Sequence, residues 1–266
     1  MKVSIITAVL NSGKTVADCI ASVQNQNSNQ EHIIIDGQSS DGSIEIIKQH
    51  IGKSTVFLSE QDKGFYDAVN KGIQMASGDV IGILNADDVY AHDRVLKKVS
   101  ECLSDESVES CYGDLVYVDS ADNKQIQRYW QSGHYHRKRF FHGWMPPHPT
   151  FFVRREVYER YGPYRLDRGS ASDYEFMLRV LLKHKISSRY IPEVLVKMRV
   201  GGQSNASIKN RLEAHRMDRK AWDVNSLKPY PWTLPMKPLR KIGQWIKPHF
   251  VNGSELGFES PELDSE

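Results

Sequence analysis

Cysteine is scarce in this 266-residue chain: Cys19, Cys102 and Cys111 are its only three. An odd number with no short metal-binding spacing argues against a disulfide framework and against a structural zinc site. With Cys19 on a predicted apolar helix face, the expectation is reduced, mostly buried thiols in a cytosolic setting. Long apolar runs are missing too. No stretch approaches the ~20 apolar residues of a membrane span, so membrane association, if there is any, must be peripheral. The opening residues carry neither a basic region nor a hydrophobic signal core. Charge of one sign is not in excess, with 35 Lys+Arg against 33 Asp+Glu, so no global field calls for a nucleic-acid partner. There is no internal repeat. A glycine-rich phosphate loop is absent as well: Gly13-Lys14-Thr15 invites that reading, but Ala8 stands where the upstream glycine is required.

What is present is alternation. The length suffices for one α/β domain with additions, and the first hundred residues switch regularly between strand and helix patterns. Strands are predicted at Val3–Val9, His32–Ile35, Val56–Leu58 and Val80–Leu84. Between them run helices with apolar residues at helical spacing: Val16, Ile20 and Val23, then Ile44, Ile47 and Ile51, then Phe65, Val69, Ile73 and Ala76. Asn11 or Ser12 is expected to cap the first helix. Each strand ends in polar residues, and in open α/β sheets ligands gather at those carboxyl ends.

The regularity breaks after Asp88. A helix around Val95–Leu103 leads into a strand at Cys111–Val118, followed by a long polar segment from Asp119 to Pro149. This segment holds His134, His136, Arg137, Lys138, Arg139, His142 and His148; their irregular spacing fits a flexible basic lid or acceptor groove better than a metal site. Structure resumes at Phe151–Val153, with helices over Glu156–Tyr161 and Asp173–Lys183, strands at Ser188–Ile191 and Val194–Val200, and a helix near Ile208–Trp222. From Trp232 to Phe250 apolar residues mix with Lys237, Arg240, Lys241 and Lys247, as in an interfacial amphipathic segment or a terminal helix packed on the domain. The acidic stretch from Val251 has no Lys or Arg and is expected to be disordered.

The densest signal is Gly78 to Asp88, an apolar strand running into Asp87-Asp88. Paired carboxylates at a strand end repel, so they need a cation, a hydrogen-bond network or water. They suit a divalent ion set against a diphosphate, or a plain turn. Their company decides. Thr7 to Asn11, Asp36-Gly37-Gln38-Ser39-Ser40-Asp41-Gly42, Glu60-Gln61-Asp62-Lys63-Gly64, Asn85-Ala86-Asp87-Asp88 and Ser172-Asp173-Tyr174-Glu175 together resemble the family 2 glycosyltransferases of the GT-A fold, over roughly residues 1–205. The run Asp62 to Ile73 resembles the version in bacterial exopolysaccharide and O-antigen enzymes. Pro147 to Phe152 and Arg199-Val200-Gly201-Gly202-Gln203-Ser204 are most similar to the colanic-acid type.

The resemblance implies a Rossmann-like, mixed but mostly parallel sheet with helices on both faces. It divides the chain into a nucleotide-binding half (1–100), an acceptor half (101–205), a C-terminal helical extension (206–250) and the acidic tail (251–266). It implies inverting transfer of a sugar from a UDP- or GDP-sugar to a glycan or lipid-linked acceptor, assisted by Mn²⁺ or Mg²⁺, in the cytoplasm or on the inner face of its membrane. By the same likeness Asp88 binds the metal and Asp87 lies near the ribose, while the family's first acidic position falls on Asn85 or Ala86. Asp36 accepts from the base N–H, and Thr7, Ala8 and Asn11 approach the nucleotide through the loop after the first strand. Lys63 and Asp67 face the cleft. Asp173 is the general base, and Arg199 neutralises the departing diphosphate. Ordinary structural duties compete at several positions: a helix cap at Asn11 or Asp173, a turn cap at Asp36, a solvated strand end at Arg199. A sugar nucleotidyltransferase would show a glycine-rich basic loop that is absent here, and a non-catalytic glycan-binding module would have lost one of Asp36, Asp88 and Asp173.

Overall fold

The computed structural model describes residues 1–120, 122–201 and 208–240, with the side chains of 208–214 left aside. The acidic tail, residues 241–250 of the amphipathic segment and Gly202-Gln203-Ser204 lie outside the described residues. Four parallel strands, β1 (Val3–Val9), β2 (Gln30–Asp36), β3 (Thr55–Ser59) and β4 (Val80–Ile83), form half of a nine-stranded sheet in the order β3-β2-β1-β4. β1 and β2 are buried along almost their whole lengths, polar residues included, because helices cover both faces. Helix α1 (Val16–Gln24) buries Cys19 and Val23 against Val3 and Ile5. After α2 (Ser43–His50), helix α3 (Phe65–Met75) packs Ala68 and Val69 on the opposite face with Ile6, Ile33 and Ile35.

The sheet continues past β4 with reversed direction. β8 (Phe152–Arg154) runs antiparallel to β4 and to β6 (Ser110–Val118), so β6 is parallel to β4 again. At this junction a Cβ on Gly82 would lie 2.5 Å from the Phe152 ring, so the crossing admits only glycine. β9 (Ser188–Arg199) then pairs parallel to β6, a two-residue β5 (Val89–Tyr90) closes the edge against β9, and β7 (Ile126–Trp130) pairs antiparallel to β6. Six strand ends, those of β1, β2, β3, β4, β6 and β9, therefore point to one edge.

Several expectations are corrected. The two predicted strands at 188–191 and 194–200 are one strand of 12 residues. Pro192, which lacks a ladder N–H, is accommodated where the register slips opposite Gly113. The 119–149 segment is not a bare lid: it holds β7 and 3-10 turns at Arg137–His142 and His148–Thr150, and buries Phe140 and Trp144 in the main core. β7 escaped detection because its residues are half-buried on both faces, which erases alternation. β5 is too short for any periodicity. The helix from Asp173 begins as α6 (Ser172–Met177) and passes into a π turn over Leu178–Lys183. The free thiols fall as expected, with Cys19 and Cys111 buried and Cys102 half-buried.

Helices α4 (Val95–Cys102) and α5 (Arg155–Tyr161) complete the layers. Beyond these, α7 (Ile208–Val224) packs on α6 and the 3-10 turn over Leu166–Ala171, and α8 (Thr233–Leu239) on the turn at Arg137–His142. Trp222 is fully buried and donates from Nε1 to the Tyr174 hydroxyl at 2.9 Å, and Asn225 donates to Glu175 Oε1 at 3.1 Å. Lys237 pairs with Asp218 at 2.7 Å and lies over the Tyr174 ring.

At the amino edge Glu31 ties β2 to β1 and to the turn before β4. Its carboxylate accepts from Lys2 Nζ (2.6 Å), Ser4 Oγ (2.5 Å), Ser77 N (2.7 Å), Ser77 Oγ (2.8 Å) and Gly78 N (3.2 Å). Burial works to raise its pKa, but the hydrogen bonds from Lys2, Ser4 and Ser77 outweigh it and hold the carboxyl at about 2, against 4.5 ordinarily. A depressed pKa stabilises the fold above the unfolded value and loses that effect as pH falls through the folded one. Glu31→Gln is expected to cost about 2–3 kcal/mol at neutral pH in urea unfolding. The gap between variant and wild type should narrow below about pH 4.5 and close towards pH 2; a pH-independent gap would contradict this account.

Candidate active site

The last residue of β2, Asp36, is flanked in the sheet by Val9 and Ser59. It is fully buried. Oδ2 accepts from Ser39 N (3.1 Å) and Ser59 Oγ (2.7 Å), whereas Oδ1 has no hydrogen-bond partner among the described residues. Buried carboxylate oxygens are rarely left unpaired, and an orphan acceptor at a sheet's carboxyl edge suits an incoming N–H donor. The turn-capping duty weighed for Asp36 is therefore real but engages only one oxygen.

Thr7 and Ala8 lie within β1 rather than in the loop after it. Thr7 points inward and is fully buried, its hydroxyl 2.9 Å from His32 Nε2. Ala8, half-buried, packs beside the α3 core. Asn11 does not cap α1, whose N-cap is Thr15; it adopts φ 51° and bridges two loops, donating from its backbone N to Ser39 Oγ (2.8 Å) and accepting from Ser40 N (2.9 Å). The loop after β3 folds around Asp62, which accepts from Gly64 N (2.7 Å) and fills the space beside Gly37. Gly64 takes φ 111°, a conformation that L side chains rarely adopt. Asp67 accepts from Lys63 N (3.0 Å) and lies 3.9 Å from Lys71, so it serves the helix start; Lys63 is exposed.

The acidic loop follows β4. Asp88, the expected cation ligand, turns inward: it is fully buried and accepts from Asn85 Nδ2 (2.7 Å) and from Arg199 N (3.3 Å). Burial first, then the charge of Asp87, pushes its pKa well above the carboxylate range, against the pull of Asn85 and Arg199. Asp87 is half-buried and keeps solvent access. Ala86 sits in the α1–α2 core, which leaves Asn85 as the polar residue at the first acidic position. Arg199 is not solvated: its guanidinium donates to Asp87 O (2.8 Å) and to Asp18 Oδ2 (2.5 Å), pinning the loop from β9. Among the described residues no group of three or more Asp, Glu, His or Cys could hold a metal alone. One or two carboxylates fit a hard cation that completes its shell with phosphate oxygens and water.

Asp173 lies in the first turn of α6, half-buried, and accepts from Tyr174 N at 2.7 Å; the helix N-cap is Ala171. Its neighbours come from far along the chain, with the Tyr66 hydroxyl, His148 and Tyr164 all near enough to feel its charge. Neither tyrosine is singled out by the sequence, since a lone Tyr carries no spacing signal, and His148 reads there only as one residue of the basic segment and of the Pro147–Phe152 motif. The other histidines disperse: His134 rests edge-on against Tyr190, and His142 against Tyr230.

The sequence pattern described as Glycosyl transferase family 2 matches residues 4–162. A PGL/p-HBAD biosynthesis glycosyltransferase of Mycobacterium tuberculosis is 26% identical over 211 residues, covering 77% of this chain and 80% of the relative. Among solved structures, the mannosyltransferase PcManGT from Pyrobaculum calidifontis in complex with GDP-Man and Mn²⁺ superposes with a TM-score of 0.62 at 16% identity, covering 96% of this chain and 72% of that one. S. aureus TarS 1–349 in complex with UDP-GlcNAc gives 0.65 at 15% identity, covering 96% and 77%. Likeness at such identity speaks to the fold alone.

The Arg199 clamp makes a measurable claim. Arg199→Ala strips a donor from the Asp87 carbonyl and should cost about 1–3 kcal/mol in chemical denaturation. Asp18→Asn, which touches only the half-exposed end of the ion pair, should cost less than about 1 kcal/mol. Equal losses would show that the ion pair, and not the loop contact, is what Arg199 supplies.

Proposed function

The chain belongs to glycosyl transferase family 2 and is a glycosyltransferase of GT-A-type fold; from that premise we propose that it is an inverting enzyme taking its sugar from a UDP- or GDP-sugar. The observation that carries the nucleotide reading is the orphaned Asp36 Oδ1 at the carboxyl edge of the sheet. It fits the imide or amide N–H of a uracil or guanine base, and the backbone around Ala8 and Asn11 borders the same edge. The complexes of TarS with UDP-GlcNAc and of PcManGT with GDP-Man and Mn²⁺ bracket the donor class. Asp87, with Asp88 behind it, would hold Mn²⁺ or Mg²⁺, and a bound ion supplies Lewis-acid neutralisation of the diphosphate. Lys63, exposed on the loop after β3, adds positive charge at the same edge. Arg199 serves this site by fixing the acidic loop and not by touching the leaving group.

Asp173 takes the proton from the acceptor hydroxyl as that oxygen attacks the anomeric carbon; the bond from that carbon to the diphosphate oxygen breaks, the nucleoside diphosphate leaves with the electron pair, and this one displacement inverts configuration. The acceptor is a glycan or a lipid-linked oligosaccharide of bacterial exopolysaccharide or O-antigen type, a reading that rests on the motif likeness of residues 62–73 and 147–152. We place the reaction at the inner face of the cytoplasmic membrane. No helix among the described residues is long and apolar enough to cross a membrane. Tyr230, Trp232 and Leu239 are nevertheless exposed beside exposed Lys228 and Arg240, an aromatic and basic patch that suits an anionic lipid surface.

Calorimetric titration with UDP, GDP and dTDP, with and without Mn²⁺, tests the donor site. One nucleotide should bind in a metal-dependent way. Asp36→Asn should weaken it by roughly 10–100-fold, and Asp87→Ala should remove the metal dependence. Asp173→Asn should keep donor binding and lose transfer by at least about 100-fold. Binding of no nucleotide, or undiminished binding by Asp36→Asn, would overturn the donor assignment; a parallel fall of binding and transfer in Asp173→Asn would make that residue structural.

Sedimentation with vesicles of phosphatidylglycerol tests the surface. Replacing Trp232 and Leu239 by Ser should lower the bound fraction by roughly fivefold. Unchanged partitioning would leave the patch as ordinary exposed side chains.

A further inference from the structure

The chain from Tyr161, the last residue of α5, to Arg165 gives every one of its carbonyls to a side chain. Arg179 donates from Nη1 to Tyr161 O (2.6 Å) and Gly162 O (3.3 Å), and from Nη2 to Pro163 O (2.7 Å). Asn70 Nδ2 donates to Tyr164 O (2.8 Å). The Ser172 hydroxyl lies 2.6 Å from Arg165 O and 2.9 Å from Gly169 O, one proton shared between two carbonyls. A connecting segment ordinarily leaves many of its carbonyls to water. Five in succession bonded from within make this one a rigid strap.

These bonds reach the strap from two directions. Ser172 opens α6, and Arg179 lies in the π turn that continues it, 3.1 Å from the buried Glu175 carboxylate. Asn70 comes from α3 and makes two bonds with one residue, since its Oδ1 also accepts from Tyr164 N (2.9 Å). The next residue of α3, Lys71, reaches the other way: it donates to Gln61 O (2.8 Å) and pairs with Glu60 (2.8 Å), in the loop after β3 that also carries Lys63. Helix α3 therefore stands between that nucleotide-side loop and the strap, and the strap is bonded to Ser172, the residue before Asp173. Asp173 accepts from the neighbouring Tyr174 N (2.7 Å), so its carboxylate travels with the first turn of α6.

We propose that Asn70 is a positioning residue for Asp173: its amide fixes the first turn of α6 relative to the nucleotide-side loop. The role rests on Asp173 being the general base. Transfer needs the base, the acceptor oxygen and the anomeric carbon in one arrangement, and a displacement of ~1 Å can cost about 100-fold in rate. The anomeric carbon is placed from the nucleotide side and the carboxylate from the strap, and the Asn70–Tyr164 pair joins the two frames. Without the amide both backbone groups of Tyr164 lose their partner, and the strap is free to drift from α3.

The test is Asn70→Ala in the full chain, with Glu31→Gln as a comparator destabilised at the opposite edge of the sheet. Hydrogen exchange read by mass spectrometry should be at least about tenfold faster over residues 164–174 in Asn70→Ala, with α1 and β1 unchanged. Hydrolysis of UDP-GlcNAc or GDP-Man with Mn²⁺, water standing in for the acceptor hydroxyl, should fall roughly tenfold in kcat per nucleotide-binding site, with KM for the donor unchanged. The sites are counted by calorimetric stoichiometry, so a misfolded fraction does not mimic the loss, and Glu31→Gln should keep the wild-type kcat per site. Wild-type exchange over 164–174 in Asn70→Ala overturns the positioning role, as does faster exchange spread evenly along the chain. If Asp173→Asn is inactive while Asn70→Ala keeps full kcat per site, only the positioning role falls. Undiminished hydrolysis by Asp173→Asn overturns the base assignment and the positioning role with it.

Discussion

Two adjacent carboxylates close the central strand β4, and one of them, Asp88, is fully buried. Burial and the charge of Asp87 both oppose its ionisation. The arrangement is held by Asn85 from the same loop and by Arg199 from the end of β9, which donates its backbone N to Asp88 and its guanidinium to the Asp87 carbonyl. Because Arg199 arrives 111 residues later in the chain, the acidic loop has its shape only when β9 has folded onto the first four strands. The sheet order depends on this as well, since β9 reaches the loop by pairing with β6 and with the short β5 that follows Asp88 directly.

The same dependence recurs at α3, which lies in the first hundred residues yet bonds through Asn70 to the backbone of Tyr164. Trp222 of α7 and Asn225 just after it brace α6 from behind through Tyr174 and Glu175. The start of α6 is thus held from segments distant in the chain.

Much of the fold could be read directly. The four parallel strands fell within one or two residues of their observed bounds because their apolar runs are bounded by glycine and aspartate turns, and their polar ends marked the edge where Asp36, Asp87 and Asp88 collect. The reading failed where periodicity was weak. Strand β7 is half-buried throughout, β5 has two residues, and the long β9 was cut at Pro192, whose place in the ladder depends on a slip opposite Gly113. Asn11 looked like a cap because its neighbours begin a helix, and the structure uses it to join two loops instead.

The sequence by itself determined the alternating α/β order, the family and the identity of the acidic residues, since these rest on local pattern and on side-chain chemistry. Which oxygen faces what was decided only by the tertiary structure. The inward turn of Asp88, the unpaired Oδ1 of Asp36, the capture of Arg199 by Asp18 and the bonding of Asn70 to Tyr164 each arise from burial and from contacts between segments distant in the chain. Desolvation and pairing depend on what surrounds a group in space, and a sequence lists neighbours in only one dimension.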